Sequence, residues 1–191
     1  MAAPGDPALA ERVAAAQRRL AGIYRLEIEL QARDFLLPAQ EARARYGEGA
    51  PATGLLAQED DGALWLGLYF DPADAEDPAA VLEETSHWLA LVWHALQSAR
   101  ISPLVLELQA EVDRYAVVRT AGGDALDHFR TTRWLPDLEP DDEARYRTAQ
   151  AAAFRYCRRL ERRYPRRADL PGLLHELRRF YRRVPEQKLA A

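Results

Sequence analysis

Two short stretches of the chain combine acidic residues and a histidine at helical spacing. They are Glu83-Glu84-Thr85-Ser86-His87 and, about twenty residues later, Glu107-Leu108-Gln109-Ala110-Glu111. On a helix, residues four apart lie one turn apart on the same face. The spacing therefore predicts that Glu83 and His87 share a face with Glu84 at its flank. It also predicts that Glu107 and Glu111 share a face of the second helix.

The second pair of acids falls on an apolar helix face. That face consists of Leu104, Leu108, Tyr115 and Val118, whereas Gln109 and Asp113 are expected to point away from it. A buried carboxylate without a partner is costly, so we expect Glu107 and Glu111 either to be protonated or to bind a cation, a metal or hydrogen-bond donors. Two candidate partners are His87 on the preceding helix and Arg114 at the edge of the same face.

Local signals place both stretches on helices that follow a hairpin. Asp77-Pro78 and Ser102-Pro103 are typical helix starts, and they predict helices over 78–97 and 103–120. Upstream, two apolar stretches flank the favoured turn pair Asp61-Gly62, which predicts antiparallel strands over 54–58 and 63–70. The hairpin and the two helices are the elements that must position the acids and the histidine.

The remaining segments are mainly helical. Periodicity and helix-start signals predict helices over 7–22, 141–164 and 171–183, with short helices expected near 39–47 and 124–133. Alternation over 24–31 predicts a half-buried strand, although continuation of the first helix is the rival interpretation. The predicted fold is therefore α+β and mostly helical, with a small three-stranded antiparallel sheet or hairpin packed on five or six helices.

Length and composition predict one domain. The 191 residues, 48% of them hydrophobic, suit a single globular domain over 1–191, with an N-terminal part (1–53), a hairpin with two helices (54–120) and C-terminal helices (124–185). Cys157 is the only cysteine, which excludes an internal disulfide and a multi-cysteine zinc site. No signal peptide or membrane-spanning apolar run is evident, so we expect a soluble cytoplasmic protein with no membrane partner.

The charges are distributed unevenly along the chain. Residues 1–140 carry 12 basic and 23 acidic side chains, whereas residues 141–191 carry 14 basic and 7 acidic ones. Two interpretations remain open: the basic tail folds back on the acidic body, or it meets an anionic partner such as nucleic acid.

The order of these elements resembles the gluzincin type of zinc metallopeptidase. In that family a hairpin precedes a helix bearing an HExxH motif, and a second helix supplies a glutamate. The stretch over 83–87 is similar to the motif at Glu84 and His87, and Glu107 falls at the position of the distant glutamate. Glu83 stands where the family has its first histidine, so the motif is degenerate.

The resemblance implies a site and a chemistry. It implies a metal held by Glu83, His87 and Glu107, with Glu84 as the general base and Glu111 as an acid that steadies the first ligand. His94, two turns beyond His87, is a further candidate beside the site. Two carboxylates and one imidazole suit zinc and also admit manganese or iron. The implied function is hydrolysis of a peptide or protein substrate, or the fold of an inactive relative that binds no metal.

Three other interpretations fit the same residues. The acids and His87 could form a structural hydrogen-bond network that joins the two helices. Glu84 and His87 also form an ExxH pair of the ferritin-like di-iron type, although that type needs a second pair, which the sequence lacks. Finally, the arginine-rich C-terminal helices could make the protein a non-catalytic binding protein that contacts nucleic acid or another partner.

Overall fold

The computed structural model describes residues 6–47, 51–61, 63–131 and 139–189. The helices are α1 (Pro7–Tyr24), α2 (Ala39–Tyr46), α3 (Pro72–Glu76), α4 (Pro78–Leu96), α5 (Pro103–Ala121), α6 (His128–Thr131), α7 (Pro140–Arg163), α8 (Leu170–Tyr181) and α9 (Pro185–Leu189). The strands are β1 (Gly54–Asp60) and β2 (Ala63–Tyr69). Within these ranges the chain is mostly helical and has one small sheet, so the predicted α+β class is confirmed.

The sheet is the predicted hairpin. β1 and β2 pair antiparallel, from Gly54 opposite Tyr69 to Asp60 opposite Ala63. Asp61, which follows β1, has a φ of 46°, in the left-handed region that tight hairpin turns require. On its far side β2 is bridged by Leu36, whereas the outer edge of β1 has no strand partner among the described residues.

Two details of the fold prediction are wrong. The sheet has two strands, not three, because α1 continues to Tyr24 and residues 25–31 form no strand. Arg25 ends α1 in the left-handed conformation, and Leu26 and Ile28 then pack against the core without backbone pairing. In addition, nine helices are present in the described part rather than five or six. Three of them, α3, α6 and α9, have only four or five residues each.

The helices α4 and α5 begin as predicted. The Asp77 side chain accepts a hydrogen bond from Ala79 N, and the Ser102 side chain accepts one from Val105 N; each helix has proline in its first turn. α5 ends at Gly122, whose φ of 87° is favourable for glycine. Each helix has 19 residues, long enough to carry the site and also to pack against several neighbours.

α5 is enclosed on several sides, which overturns one prediction. Gln109 and Asp113 do not point away from the core; both are fully buried. The reason is that α1, α4, α7, α8 and α9 all pack against α5. Asp113 accepts hydrogen bonds from Tyr24 at 2.5 Å, Ser86 at 2.6 Å and Gln109 at 2.6 Å. Burial nevertheless raises its pKa to about 6.

The C-terminal helix α9 enters this network through Lys188, which is 1% exposed. Its Nζ donates to Gln109 Oε1 at 2.7 Å and lies 5.0 Å from the centre of the Tyr181 ring. Burial lowers the pKa of Lys188 to about 7, although the nearby Asp113 carboxylate acts in the opposite direction. A short helix is thereby attached to the core by a buried polar contact.

The main hydrophobic core joins α1, β2, α4, α5, α7 and α8. Its largest buried side chains include Tyr24, Trp88, Tyr115, Tyr156 and Phe180. A smaller cluster on the other face of the hairpin packs Leu56 and Tyr69 against Ala42 of α2. In the described residues, no helix combines the length and the apolar character that crossing a bilayer requires.

Candidate metal centre

Three of the predicted ligands meet where α4 packs against α5. Glu83 and His87 are one turn apart on α4, and Glu107 faces them from the first turns of α5. One ligand atom from each residue can be chosen so that all three lie within 4.8 Å of one another. The structure therefore brings together the three residues predicted to bind metal, from two separate helices.

His87 stands between two carboxylates. It is only 7% exposed; its Nε2 lies 3.4 Å from Glu107 Oε2 and its Nδ1 lies 3.4 Å from Glu84 Oε2. Nε2 is buried and makes no hydrogen bond of good geometry within the described residues. Burial lowers the pKa of His87, but interactions with Glu107 and Glu84 outweigh it and raise the pKa well above its ordinary value. A metal would have to displace the proton that this ring favours.

Glu83 is held in place by a cation from the same interface. Arg114 Nη2 donates to Glu83 Oε2 at 2.7 Å. Burial raises the pKa of Glu83, while His87 and Arg114 lower it in part. Behind these groups is a cavity of about 20 Å³, lined by Glu83, Glu107, Glu111, Arg114 and Tyr146. A cavity of roughly 10–15 Å³ is enough for one water molecule, so this space suits a single water or a small ion.

The donor set could hold a metal ion. Zinc bonds of about 2.0–2.2 Å place two ligand atoms of a tetrahedral site about 3.3–3.6 Å apart. The observed 3.4 Å between His87 Nε2 and Glu107 Oε2 falls in that range. Glu83, His87 and Glu107 would together offer one imidazole and two carboxylates, a donor set that several divalent ions accept.

The site opens into a cleft of about 460 Å³. One wall is β1, which contributes Gly54, Leu55 and Ala57. The lining also includes Glu84, His87 and Glu107, together with Arg145 and Tyr146 of α7. Two of the candidate ligands, His87 and Glu107, thus line the same cleft as β1, whereas Glu83 lines the small cavity.

Comparison with known protein families, curated proteins and solved structures finds no match. Any function must therefore be argued from the geometry of the site itself.

Two residues predicted to lie beside the centre have other neighbours. Glu111 Oε2 lies 3.0 Å from Nε2 of His128, not against His87, although Glu111 does line the small cavity. His94 is 2% exposed and packs edge-on against Trp93. Burial, together with the charge of Lys188, lowers the pKa of His94 to about 4. His94 therefore belongs to the surroundings of the C-terminal helix and not to the group of three ligands.

Sequence reasoning missed Arg145 and Tyr146 as residues of the cleft. Both lie near the start of α7 and line the cleft beside Glu107. The pKa of Tyr146 is raised to about 12, mainly by burial and then by the charge of Glu107. Nothing local marked these residues, because they reach the site only through the packing of α7 on α5.

Part of the basic tail folds back on the body. Arg178 Nε donates to the carbonyl of Ile23 at 2.8 Å, and Arg182 Nη2 donates to the carbonyl of Arg25 at 3.0 Å. Arg183 pairs with Glu176 at 3.8 Å. The contacts of Arg178 and Arg182 tie the end of α8 to the end of α1, whereas the Arg183–Glu176 pair lies within the tail.

Proposed function

We propose that this protein is a metal-dependent hydrolase that cleaves peptide bonds, with one metal ion bound by Glu83, His87 and Glu107. The observation that carries the proposal is the buried Nε2 of His87, which has no hydrogen-bond partner among the described residues and lies 3.4 Å from Glu107 Oε2, while ligand atoms of Glu83, His87 and Glu107 lie within 4.8 Å of one another. The geometry is compatible with the metallopeptidase resemblance of the 83–87 motif, with Glu83 in place of a histidine. Zinc is the ion we expect, and manganese or iron would also suit the ligands.

Glu84 is the general base of the proposed reaction. It lines the cleft together with His87 and Glu107, and its Oε2 lies 3.4 Å from His87 Nδ1, whereas His87 Nε2 faces Glu107. A bound metal would lower the pKa of a water attached to it. Glu84 takes a proton, the water oxygen bonds to the peptide carbonyl carbon, and the carbonyl electron pair moves to oxygen. The C–N bond then breaks, and Glu84 returns the proton to the amine that leaves.

The outer edge of β1 supplies a place for the substrate. An extended peptide that adds to a free strand edge gains main-chain hydrogen bonds without a sequence requirement. The same cleft carries apolar side chains, Leu55, Leu91, Ile101 and Leu106, that can contact substrate side chains. We therefore propose an extended peptide with apolar residues as the substrate class.

A single-metal site is favoured over the ferritin-like alternative. A di-iron site needs a second set of carboxylates and a second ExxH histidine beside the first. Among the described residues only one group of three candidate ligands is found, and the other nearby histidine, His128, pairs with Glu111. The arrangement provides ligands for one ion.

Metal analysis of protein purified without chelator tests the proposal. We expect about one equivalent of metal in the wild type and its loss in Glu107→Gln and His87→Ala. Glu27→Gln, at an exposed position, is the matched control and should retain the metal. Absence of metal from the wild type after incubation with zinc, manganese or iron would contradict the proposal. So would full retention by both site variants.

A further inference from the structure

One cationic side chain in the cleft, that of Arg145, has a buried donor with no partner among the described residues. Arg145 Nη1 donates to Asp142 at 2.6 Å, and the guanidinium lies over the Tyr146 ring, 5.2 Å from its centre. By contrast, Arg145 Nε is buried and has no hydrogen-bond partner within the described residues. The guanidinium is therefore held by Asp142 and Tyr146, while its Nε–H makes no hydrogen bond to any described residue.

The unused donor lies beside the candidate ligands. Arg145 Nε is 3.9 Å from Glu107 Oε1, and His87 Nε2 is 3.4 Å from the other oxygen of the same carboxylate. A separation of 3.9 Å is too long for a hydrogen bond, so the contact with Glu107 does not occupy the donor. Arginine stays charged at every physiological pH. Arg145 thus lines the cleft with a permanent positive charge beside Glu107, and its buried Nε–H has no hydrogen-bond partner in the described part of the chain.

We propose that Arg145 donates to the carbonyl oxygen of the scissile peptide bond and stabilises the negative charge this oxygen gains when water attacks. This inference rests on the proposed function. A donor that is already fixed in a buried site stabilises developing charge without reorganising. A hydrogen bond from a guanidinium to an anionic oxygen is also stronger than one between neutral groups. Arg145 is then a second catalytic residue, in addition to Glu84.

Two other roles for Arg145 predict different behaviour. If it only held Glu107 in position, its removal would weaken metal binding. If Arg145 bound the free C-terminal carboxylate of a substrate, its removal would weaken all analogues that carry such a carboxylate. The loss would be the same whether the group at the position of the scissile bond is neutral or anionic. Only a role at the attacked carbonyl predicts a selective loss for analogues with a negative charge at that carbonyl's position.

The test compares two inhibitors on zinc-loaded protein by calorimetry. One is a phosphinic pseudopeptide with leucine on both sides of the phosphinate, and the other is the neutral ketomethylene analogue; both are amidated at the C-terminus. The variant is Arg145→Met. Arg147→Met is the matched control, because Arg147 is on the same helix, its side chain is 61% exposed and it pairs with Glu143.

We expect Arg145→Met to weaken phosphinate binding by about tenfold or more while zinc and ketomethylene affinities stay within about twofold of wild type. Arg147→Met should change none of the three. The inference would be overturned if Arg145→Met kept its phosphinate affinity, lost affinity equally for both analogues, or lost affinity for zinc. It would also be overturned if the wild type bound no phosphinate. Failure of the wild type to bind zinc would instead overturn the proposed function, and the inference with it.

Discussion

His87 Nε2 faces Glu107 Oε2 at 3.4 Å across the boundary between α4 and α5, and the two atoms are not joined by a good hydrogen bond. A buried polar atom without a partner costs roughly 1–3 kcal/mol of stability. A metal ion bound to both residues would remove that cost and would also compensate the carboxylate of Glu83. We therefore expect metal binding to depend on His87 and Glu107 and to stabilise the folded protein.

Metal should raise the thermal stability of the protein. A ligand that binds only the folded state at about 100 times its Kd adds about 2.7 kcal/mol to the free energy of unfolding. We therefore expect zinc to raise the melting temperature of chelator-treated wild type by several degrees. The measurement is differential scanning fluorimetry with and without zinc. His87→Ala should show no shift, and an equal shift in that variant would show that zinc stabilises the protein elsewhere.

Replacing Glu84 should separate chemistry from metal binding. Glu84→Gln keeps the size of the side chain but removes the proton acceptor, so kcat for peptide hydrolysis should fall about 10²- to 10⁴-fold. The metal content should stay near one equivalent, because Glu84 is not one of the three ligands. Turnover of a quenched fluorescent peptide library and metal analysis are measured on the same samples. Glu84→Gln with wild-type kcat would exclude Glu84 as the base; exposed Glu27→Gln is the control.

The buried carboxylate of Asp113 should be important for stability. Asp113→Ala leaves the donors of Tyr24, Ser86 and Gln109 without an acceptor in the core. We expect a loss of about 3 kcal/mol or more in the free energy of unfolding, measured by urea denaturation. Asp34→Ala, at an exposed position, should change it by less than about 0.5 kcal/mol. A loss of under about 1 kcal/mol for Asp113→Ala would show that water or other acceptors replace the carboxylate.

Lys188 should make the stability depend on pH in a defined window. Folding lowers its pKa from the ordinary 10.5 to about 7. Between these values the unfolded chain binds more protons than the folded one, so the Lys188 contribution to the free energy of unfolding increases as pH rises through the window. The contribution of Lys188 to the free energy of unfolding is fully present above pH 10.5 and is lost as the pH falls through 7.

The measurement is urea denaturation at pH 7.5 and pH 9.5, with Lys188→Met compared with wild type. Because one proton contributes about 1.4 kcal/mol per pH unit, the wild type should gain roughly 2 kcal/mol more than the variant between the two pH values. Other groups titrate in both proteins and cancel in the difference. Equal gains in the two proteins would mean that Lys188 titrates at its ordinary pKa.

Much of the site could be predicted because its signals are local. The helix starts at Asp77 and Ser102, and the spacing of Glu83 and His87, depend only on neighbouring residues. Placing Glu107 opposite His87 needed one further step, the packing of two consecutive helices. The hairpin was likewise predictable from its turn residues and flanking apolar strands.

Other features depend on partners that are distant in sequence. Gln109 and Asp113 were expected to point away from the core, but their partners Lys188 and Tyr24 lie 79 and 89 residues away. Arg145 reaches the cleft only through the packing of α7 on α5. The alternation over 24–31 resembles a strand, but no neighbouring strand in the described part pairs with it. Such features follow from tertiary packing, which no local pattern encodes.

Locating the metal directly tests the central claim. Crystals of the protein grown with zinc, measured on both sides of the zinc absorption edge, would give an anomalous difference map. We predict one strong peak about 2.0–2.2 Å from a carboxylate oxygen of Glu83, from Nε2 of His87 and from a carboxylate oxygen of Glu107. A map from zinc-soaked crystals with no peak among these three residues, or with zinc only at surface positions, would contradict the account.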